Sequence, residues 1–190
     1  MKKYLKIILP IVFVGLLGYF GFQIASKINH KKQIAENIKF MPAFSYENVK
    51  GGFFSNENII ANKATVFVYY NSECEFCNEE AKMIQENRAK FSNIQLVFIF
   101  NESAAAIMAF ATKHKLNNYD TISFLSDRKM SFRTTFDVKS LPCMVLYNKD
   151  KQLIEKIRGQ IKVEALLKKL NNKINFCHFD QKETQAKANR

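Results

Sequence analysis

The 190-residue chain has no tryptophan, three histidines, and 17 acidic residues against 29 lysines and arginines. It carries no flavin or nicotinamide fingerprint, no second C-x-x-C, no H-x-x-x-H and no nucleic-acid recognition motif. These absences narrow the chemistry. Without a cofactor motif no cofactor is expected, and electrons for any redox reaction must come from a partner molecule. A zinc site would need Cys177 and His178 to join Cys74 and Cys77, which are suitable ligand types without a zinc-site spacing. A formal charge of +12 raises nucleic acid as a partner. The basic residues are spread along the chain with no motif among them, so no nucleic-acid binding is expected. The missing tryptophan, beside abundant Lys, Asn, Ile and Phe, reads as compositional drift. There is no internal repeat.

The N-terminal segment also lacks two features. No A-x-A-like site follows the apolar stretch at residues 7–25, which argues against a cleaved signal peptide, and no cysteine lies near its end, which excludes a lipoprotein anchor. What is present is a basic start, Lys2, Lys3 and Lys6, then an apolar run long enough to cross a bilayer as a helix, then Lys27, Lys31 and Lys32. The expectation is an uncleaved signal anchor with a short stalk, residues 1–32. The protein would then be single-pass in the cell membrane, with its domain on the extracytoplasmic (periplasmic) side, since a basic start usually stays cytoplasmic. The globular domain is expected over 33–176 and a basic polar tail, disordered from about Gln181, over 177–190.

The chemistry centres on one stretch. Val66-Phe67-Val68-Tyr69-Tyr70 reads as a buried strand, broken by Asn71-Ser72 before Cys74-Glu75-Phe76-Cys77 and a helix expected over 78–90. A cysteine at the head of a helix meets unpaired amide N–H groups and the positive end of the helix dipole, which favour its thiolate. A second cysteine one turn on is placed to close a disulfide. The pair alone fits half a zinc site equally well; the strand-to-helix setting favours redox chemistry. Four carboxylates, Glu73, Glu75, Glu79 and Glu80, surround the pair and oppose the thiolate, which points away from a strongly oxidising couple.

Upstream of this stretch, Met41-Pro42-Ala43-Phe44 and Val49-Lys50-Gly51-Gly52-Phe53 suggest an edge strand and a turn, and farther along residues 94–100 read as a strand buried on both faces. A helix at 104–115, a strand at 122–125 and a helix at 128–136 follow. Residues 144–147 and 153–157 form a hairpin around Asn148-Lys149-Asp150-Lys151, and an amphipathic helix over 163–174 carries Leu166, Leu167 and Leu170 on one face. Strands alternating with helices give an α/β class. Cys143 is expected to point away from the dithiol by strand alternation and to pack as a small buried hydrophobe. For Cys177 a free thiol, a bond to Cys143 and an intermolecular disulfide stay open, the free thiol first; His30 and His114 are expected to be exposed.

Strand, Cys74-x-x-Cys77, helix, then Val138-Lys139-Ser140-Leu141-Pro142 entering a hairpin closed by Gly159 and a last helix: over roughly residues 42–170 this resembles the thioredoxin superfamily. The resemblance implies a thioredoxin-like fold, a central mixed sheet flanked by helices. It also implies that Pro142 is cis beside a redox-active Cys74–Cys77 disulfide, and that the Leu141 backbone pairs with an extended substrate chain. The insertion between Phe100 and Ser140, the Pro42-x-Phe44 and Gly51-Gly52 segment and the N-terminal anchor look like the membrane-anchored TlpA/ResA-type proteins. Their glutamate three residues past the second cysteine, implicated in proton transfer, is matched by Glu80. Peroxiredoxins set a lone cysteine in Pro-x-x-x-Thr-x-x-Cys, which this chain lacks. It also departs from the thioredoxin pattern: Glu73 replaces the usual tryptophan, Phe76 the usual proline, and Val68 a buried carboxylate.

The expected function is therefore a thiol:disulfide oxidoreductase, a reductase of protein disulfides supplied by a membrane-embedded electron donor. The rival readings are a metal- or haem-delivery module on the same fold, and a non-catalytic binding domain. For Glu80 the competing reading is a solvated helix residue.

Overall fold

The computed structural model describes the backbone of residues 2–171 and the side chains of residues 15–171, in two units, residues 1–37 and 38–190. Cys177, His178 and the tail beyond Gln181 lie outside the described residues. The first unit is one helix, α1 (Lys2–Asn37), so the expected stalk continues the helix. Among the described residues no helix is long and apolar enough to cross a membrane. The side chains of residues 7–14, part of the expected span, are outside those described.

The second unit is built on seven strands: β1 (Ser45–Asn48), β2 (Phe53–Ser55), β3 (Ala64–Tyr70), β4 (Ile94–Phe100), β5 (Ile122–Ser126), β6 (Cys143–Tyr147) and β7 (Leu153–Arg158). They form one mixed sheet in the order β2-β1-β5-β4-β3-β6-β7. β3, β4 and β5 run parallel, while β6 and β1 pair antiparallel at the two flanks. Every residue of β3 and β4 is buried, which is why their sequences run apolar without alternation. At the β1–β2 turn Gly51 and Gly52 take φ of +104° and +73°, a region that side chains with a Cβ seldom enter.

The helices α2 (Glu75–Glu86), α3 (Ala104–Lys113) and α5 (163–171) share one core cluster with one face of the sheet. Cys77, Ala81 and Ile84 of α2 meet Val66, Val68 and Tyr70 of β3 there, with Val163, Leu166 and Leu170 of α5. The opposite face is aromatic. Phe67 lies 5.3 Å from Phe44, 5.9 Å from Phe132 and 6.0 Å from Tyr147 between ring centroids. Phe132 belongs to α4 (Ser131–Thr135).

Three helices differ from their expected bounds, α3 only in ending at Lys113, two residues early. α2 starts at Glu75, three residues before the expected Asn78, because Cys74 caps it ahead of the apolar repeat that begins at Ala81, and it ends at Glu86, four residues before the expected Lys90. α4 is a single short turn instead of spanning 128–136. Asp127 caps it, accepting from Ser131 N–H at 3.0 Å and Phe132 N–H at 2.8 Å, and Met130 at φ +53° breaks any earlier helical run.

Candidate active site

The dithiol sits where the sequence places it, at the turn from the C-terminal end of β3 into α2. Cys74 N–H donates to the Asn71 carbonyl at 3.2 Å, and Asn71 Oδ1 takes Glu73 N–H at 2.9 Å, folding residues 71–74 into a tight turn. Glu102, just past β4, holds the same turn by accepting from Ser72 N–H at 2.7 Å and Ser72 Oγ at 2.5 Å. Cys74 is the N-cap of α2: its Sγ accepts from Cys77 N–H at 3.3 Å. A backbone amide thus holds the Cys74 sulfur at the head of α2.

The two thiols differ in exposure. Cys74 is half-buried and Cys77 is buried, and both are free thiols. Burial first, then the hydrogen bond with Cys74, push the Cys77 thiol well up, against an opposing bond from the Asn71 backbone. Cys74 is thus the more accessible of the two thiols, and the buried Cys77 thiol holds its proton tightly.

A buried carboxyl lies one turn farther along α2. Glu80 is 1% exposed, and it shares a helical face with Cys77, three residues away on α2. Its Oε2 accepts from Tyr70 O–H and its Oε1 from Ile161 N–H, both at 3.1 Å. Burial raises its pKa from 4.5 to about 7, although both hydrogen bonds lower it. The solvated reading of Glu80 is therefore replaced by that of a buried carboxyl titrating near neutrality. Glu73, Glu75 and Glu79 are exposed, so the four acids do not act as one group. Val68, where many thioredoxins bury a carboxylate, is fully buried, and α2 supplies the buried acid instead.

The Leu141–Pro142 peptide is cis. Pro142 is buried, Leu141 is half-buried, and the Tyr69↔Cys143 register sets them across from the end of β3. A cavity of about 300 Å³ opens beside them, lined by Tyr69, Arg133, Val138, Lys139, Ser140 and Leu141. Cys143 is buried and falls on the other face of the sheet from Cys77, paired with Tyr69 and Arg158, and burial pushes its thiol up to about 11.

Sequence reading missed Tyr70, Glu102, Asn78 and the Ile161 amide. Of these only Tyr70 was accessible, since strand alternation puts it on the face of Val66 and Val68, toward α2. His114, expected to be exposed, is half-buried: its ring packs 4.5 Å from that of Phe110 and Nε2 lies 2.9 Å from Asn78 Oδ1. Exposed His30 agrees with expectation. Among the described residues no group of three or more His, Cys, Asp or Glu is placed to hold a metal ion.

A mixed sheet with a dithiol at the β3–α2 turn and a cis-proline opposite defines the class of thioredoxin-like oxidoreductases. The chain belongs to the AhpC/TSA family, whose model matches residues 39–156. Phe67 and Asn71 stand where the peroxiredoxin setting has proline and threonine. No curated protein sequence matches the chain.

Among solved structures, a secreted Mycobacterium tuberculosis disulfide oxidoreductase homologous to E. coli DsbE is 20% identical with a TM-score of 0.58, over 71% of this chain and 96% of that one. Peroxidoxin BcpB from M. tuberculosis is 15% identical at a TM-score of 0.61, over 70% and 94%. StoA from Bacillus subtilis is 17% identical at 0.54, over 69% and 98%. These likenesses show a shared fold.

Proposed function

We propose that the protein is a thiol:disulfide reductase acting on protein disulfides outside the cytoplasm. The buried Glu80 carboxyl beside a buried Cys77, with Cys74 half-exposed above them, is the observation that carries this reading. In the first step the Cys74 thiolate attacks a substrate disulfide. The substrate S–S bond breaks, a Cys74–substrate bond forms, and the departing sulfur takes a proton. Cys77 then gives its proton to Glu80 and attacks the Cys74 sulfur. This releases the second substrate thiol and leaves a Cys74–Cys77 disulfide, so two electrons have passed from the dithiol to the substrate. A donor dithiol, which we place in a membrane protein, reverses the last two steps. The Leu141 backbone and Pro142, beside the 300 Å³ cavity, are the proposed seat of the substrate chain.

The N-terminal helix is the proposed membrane anchor, with the domain on the extracytoplasmic side. Two features support it: residues 7–25 would span about 28 Å as a helix, close to the hydrocarbon thickness, and Leu16, Leu17, Phe20, Phe22 and Ile24 are exposed large apolar side chains.

The deciding experiment is the reduction potential of the Cys74–Cys77 couple by thiol trapping in redox buffers. A value below about −230 mV supports a reductase, whereas one near about −120 mV overturns it in favour of an oxidase. Alongside, Cys77→Ser traps substrate as a mixed disulfide and Cys74→Ser abolishes turnover; a Cys74→Ser protein that still turns over removes the scheme.

A further inference from the structure

Asn78, the residue after the dithiol, has its side chain committed in two directions. Nδ2 donates to the Ser72 carbonyl at 2.8 Å and the Cys74 carbonyl at 2.9 Å. Its backbone N–H also donates to the Cys74 carbonyl at 3.0 Å. Oδ1 accepts from Lys113 Nζ at 2.8 Å and lies 2.9 Å from His114 Nε2. Carbonyl oxygens only accept, so the Ser72 and Cys74 carbonyls fix which end of the amide is the NH2 group. Oδ1 is then an acceptor, and His114 must carry a proton on Nε2. One side chain therefore ties the turn before α2 to the C-terminal end of α3, 35 residues away in the chain.

We propose that Asn78 is a positioning residue for the Cys74 nucleophile, held in place by Lys113 and His114 from α3. The amide aimed at Cys74 Sγ belongs to Cys77, in the first turn of α2. Its aim depends on how the preceding turn meets the helix, and Asn78 makes that connection through three hydrogen bonds to residues 72 and 74. With the Ser72 and Cys74 carbonyls committed to Asn78, the turn keeps Sγ under the Cys77 N–H. Without the amide, the Ser72 carbonyl loses its donor and the Cys74 carbonyl keeps only the backbone N–H of residue 78, so the turn, still tied to Glu102 at Ser72, is looser against the helix and the sulfur loses its donor for part of the time. Neither an acid nor a base is needed at position 78, and only an amide combines the two donors the carbonyls need with the acceptor that Lys113 and His114 need.

The proposal rests on Cys74 being the nucleophile, and its test is independent of any client protein. The reduced full chain is alkylated with iodoacetamide across pH, and the Cys74 adduct is identified by mass. Asn78→Ala lowers the alkylation rate at neutral pH by about tenfold, the worth of one hydrogen bond to a charged group, and moves the pH midpoint upward. His114→Leu, farther from the dithiol, moves both in the same direction by less. His114→Gln, which keeps a donor for Oδ1, restores them. Glu79, Lys82 and Lys115 border the same hollow with Lys113 and His114, and they keep their charges in every variant, so a moved midpoint reports the loss of the amide clamp. If Asn78→Ala and His114→Leu both keep the wild-type rate and midpoint, Asn78 is a structural cap only and the proposal is overturned. A wild-type protein that alkylates at Cys74 but reduces no disulfide overturns the proposed function and leaves this test standing.

Discussion

Glu80 is a carboxyl whose titration burial in the fold shifts strongly upward. Its folded pKa of about 7 lies above the ordinary 4.5, so the folded protein holds this proton more tightly than the unfolded chain does. The associated stability is present in full below pH 4.5 and is lost as pH rises through about 7; the loss is at most about 3 kcal/mol. Replacing Glu80 with Gln removes that slope. Urea unfolding between pH 4.5 and 7.5 is expected to show wild type falling by about 1–3 kcal/mol relative to Glu80→Gln, while turnover of disulfides by the variant drops roughly ten- to a hundredfold for want of a proton acceptor. Tyr70→Phe acts on the same carboxyl. The Tyr70 hydroxyl lowers the Glu80 pKa, so its removal raises that value further, by up to about one unit, readable by carbon-detected NMR titration of the Glu80 carboxyl. The position of Glu80 was legible in the sequence from its spacing to Cys77. Its burial was not, because the partners that satisfy it are 10 and 81 residues away and one is a backbone amide that no side-chain pattern announces.

Among the elements, β3 organises both halves of the core, and its two faces do different work. The face bearing Tyr70 supports the dithiol helix, while Phe67 on the other packs against four aromatic rings, Phe44, Phe132, Phe136 and Tyr147. Phe67→Ala is expected to cost about 3–5 kcal/mol in denaturant unfolding, and because that ring faces away from the dithiol, the reduction potential stays at its wild-type value. The loop after β7 matters for a different reason. Gly159, at φ +81°, donates to the Pro142 carbonyl at 2.8 Å and turns the chain so that Ile161 N–H reaches Glu80. Gly159→Ala has open space for its methyl group yet meets an unfavourable backbone conformation, for a loss of about 1 kcal/mol measured by urea unfolding. Strands β3, β4 and β5 and the β6–β7 hairpin were legible because β-branched and aromatic runs and the Asn148–Lys151 turn mark them, whereas the edge strand expected around residues 41–44 and 49–53 is instead the short pair β1 and β2, whose four and three residues carry too little pattern. Helix starts were less so: Asp127 and Cys74 set them by capping, while apolar periodicity begins only a few residues later.

For the molecule as a whole, residues 1–37 and 38–190 form separate units, with the dithiol, Glu80 and Pro142 all in the second. A fragment beginning at Ile38 is expected to keep the reduction potential of the full chain and to lose its sedimentation with lipid vesicles; a full chain that stays in the supernatant removes the anchor. Within the second unit the sheet also parts the described thiols, Cys74 and Cys77 on one side and Cys143 on the other. A mixed disulfide at Cys74 therefore has a single exit among them. On the proposed scheme Cys77 is the one described thiol on the Cys74 side of the sheet, so among the described thiols a captured client is released by one route, and scrambling onto Cys143 is barred by the thickness of the sheet, whatever the redox conditions outside.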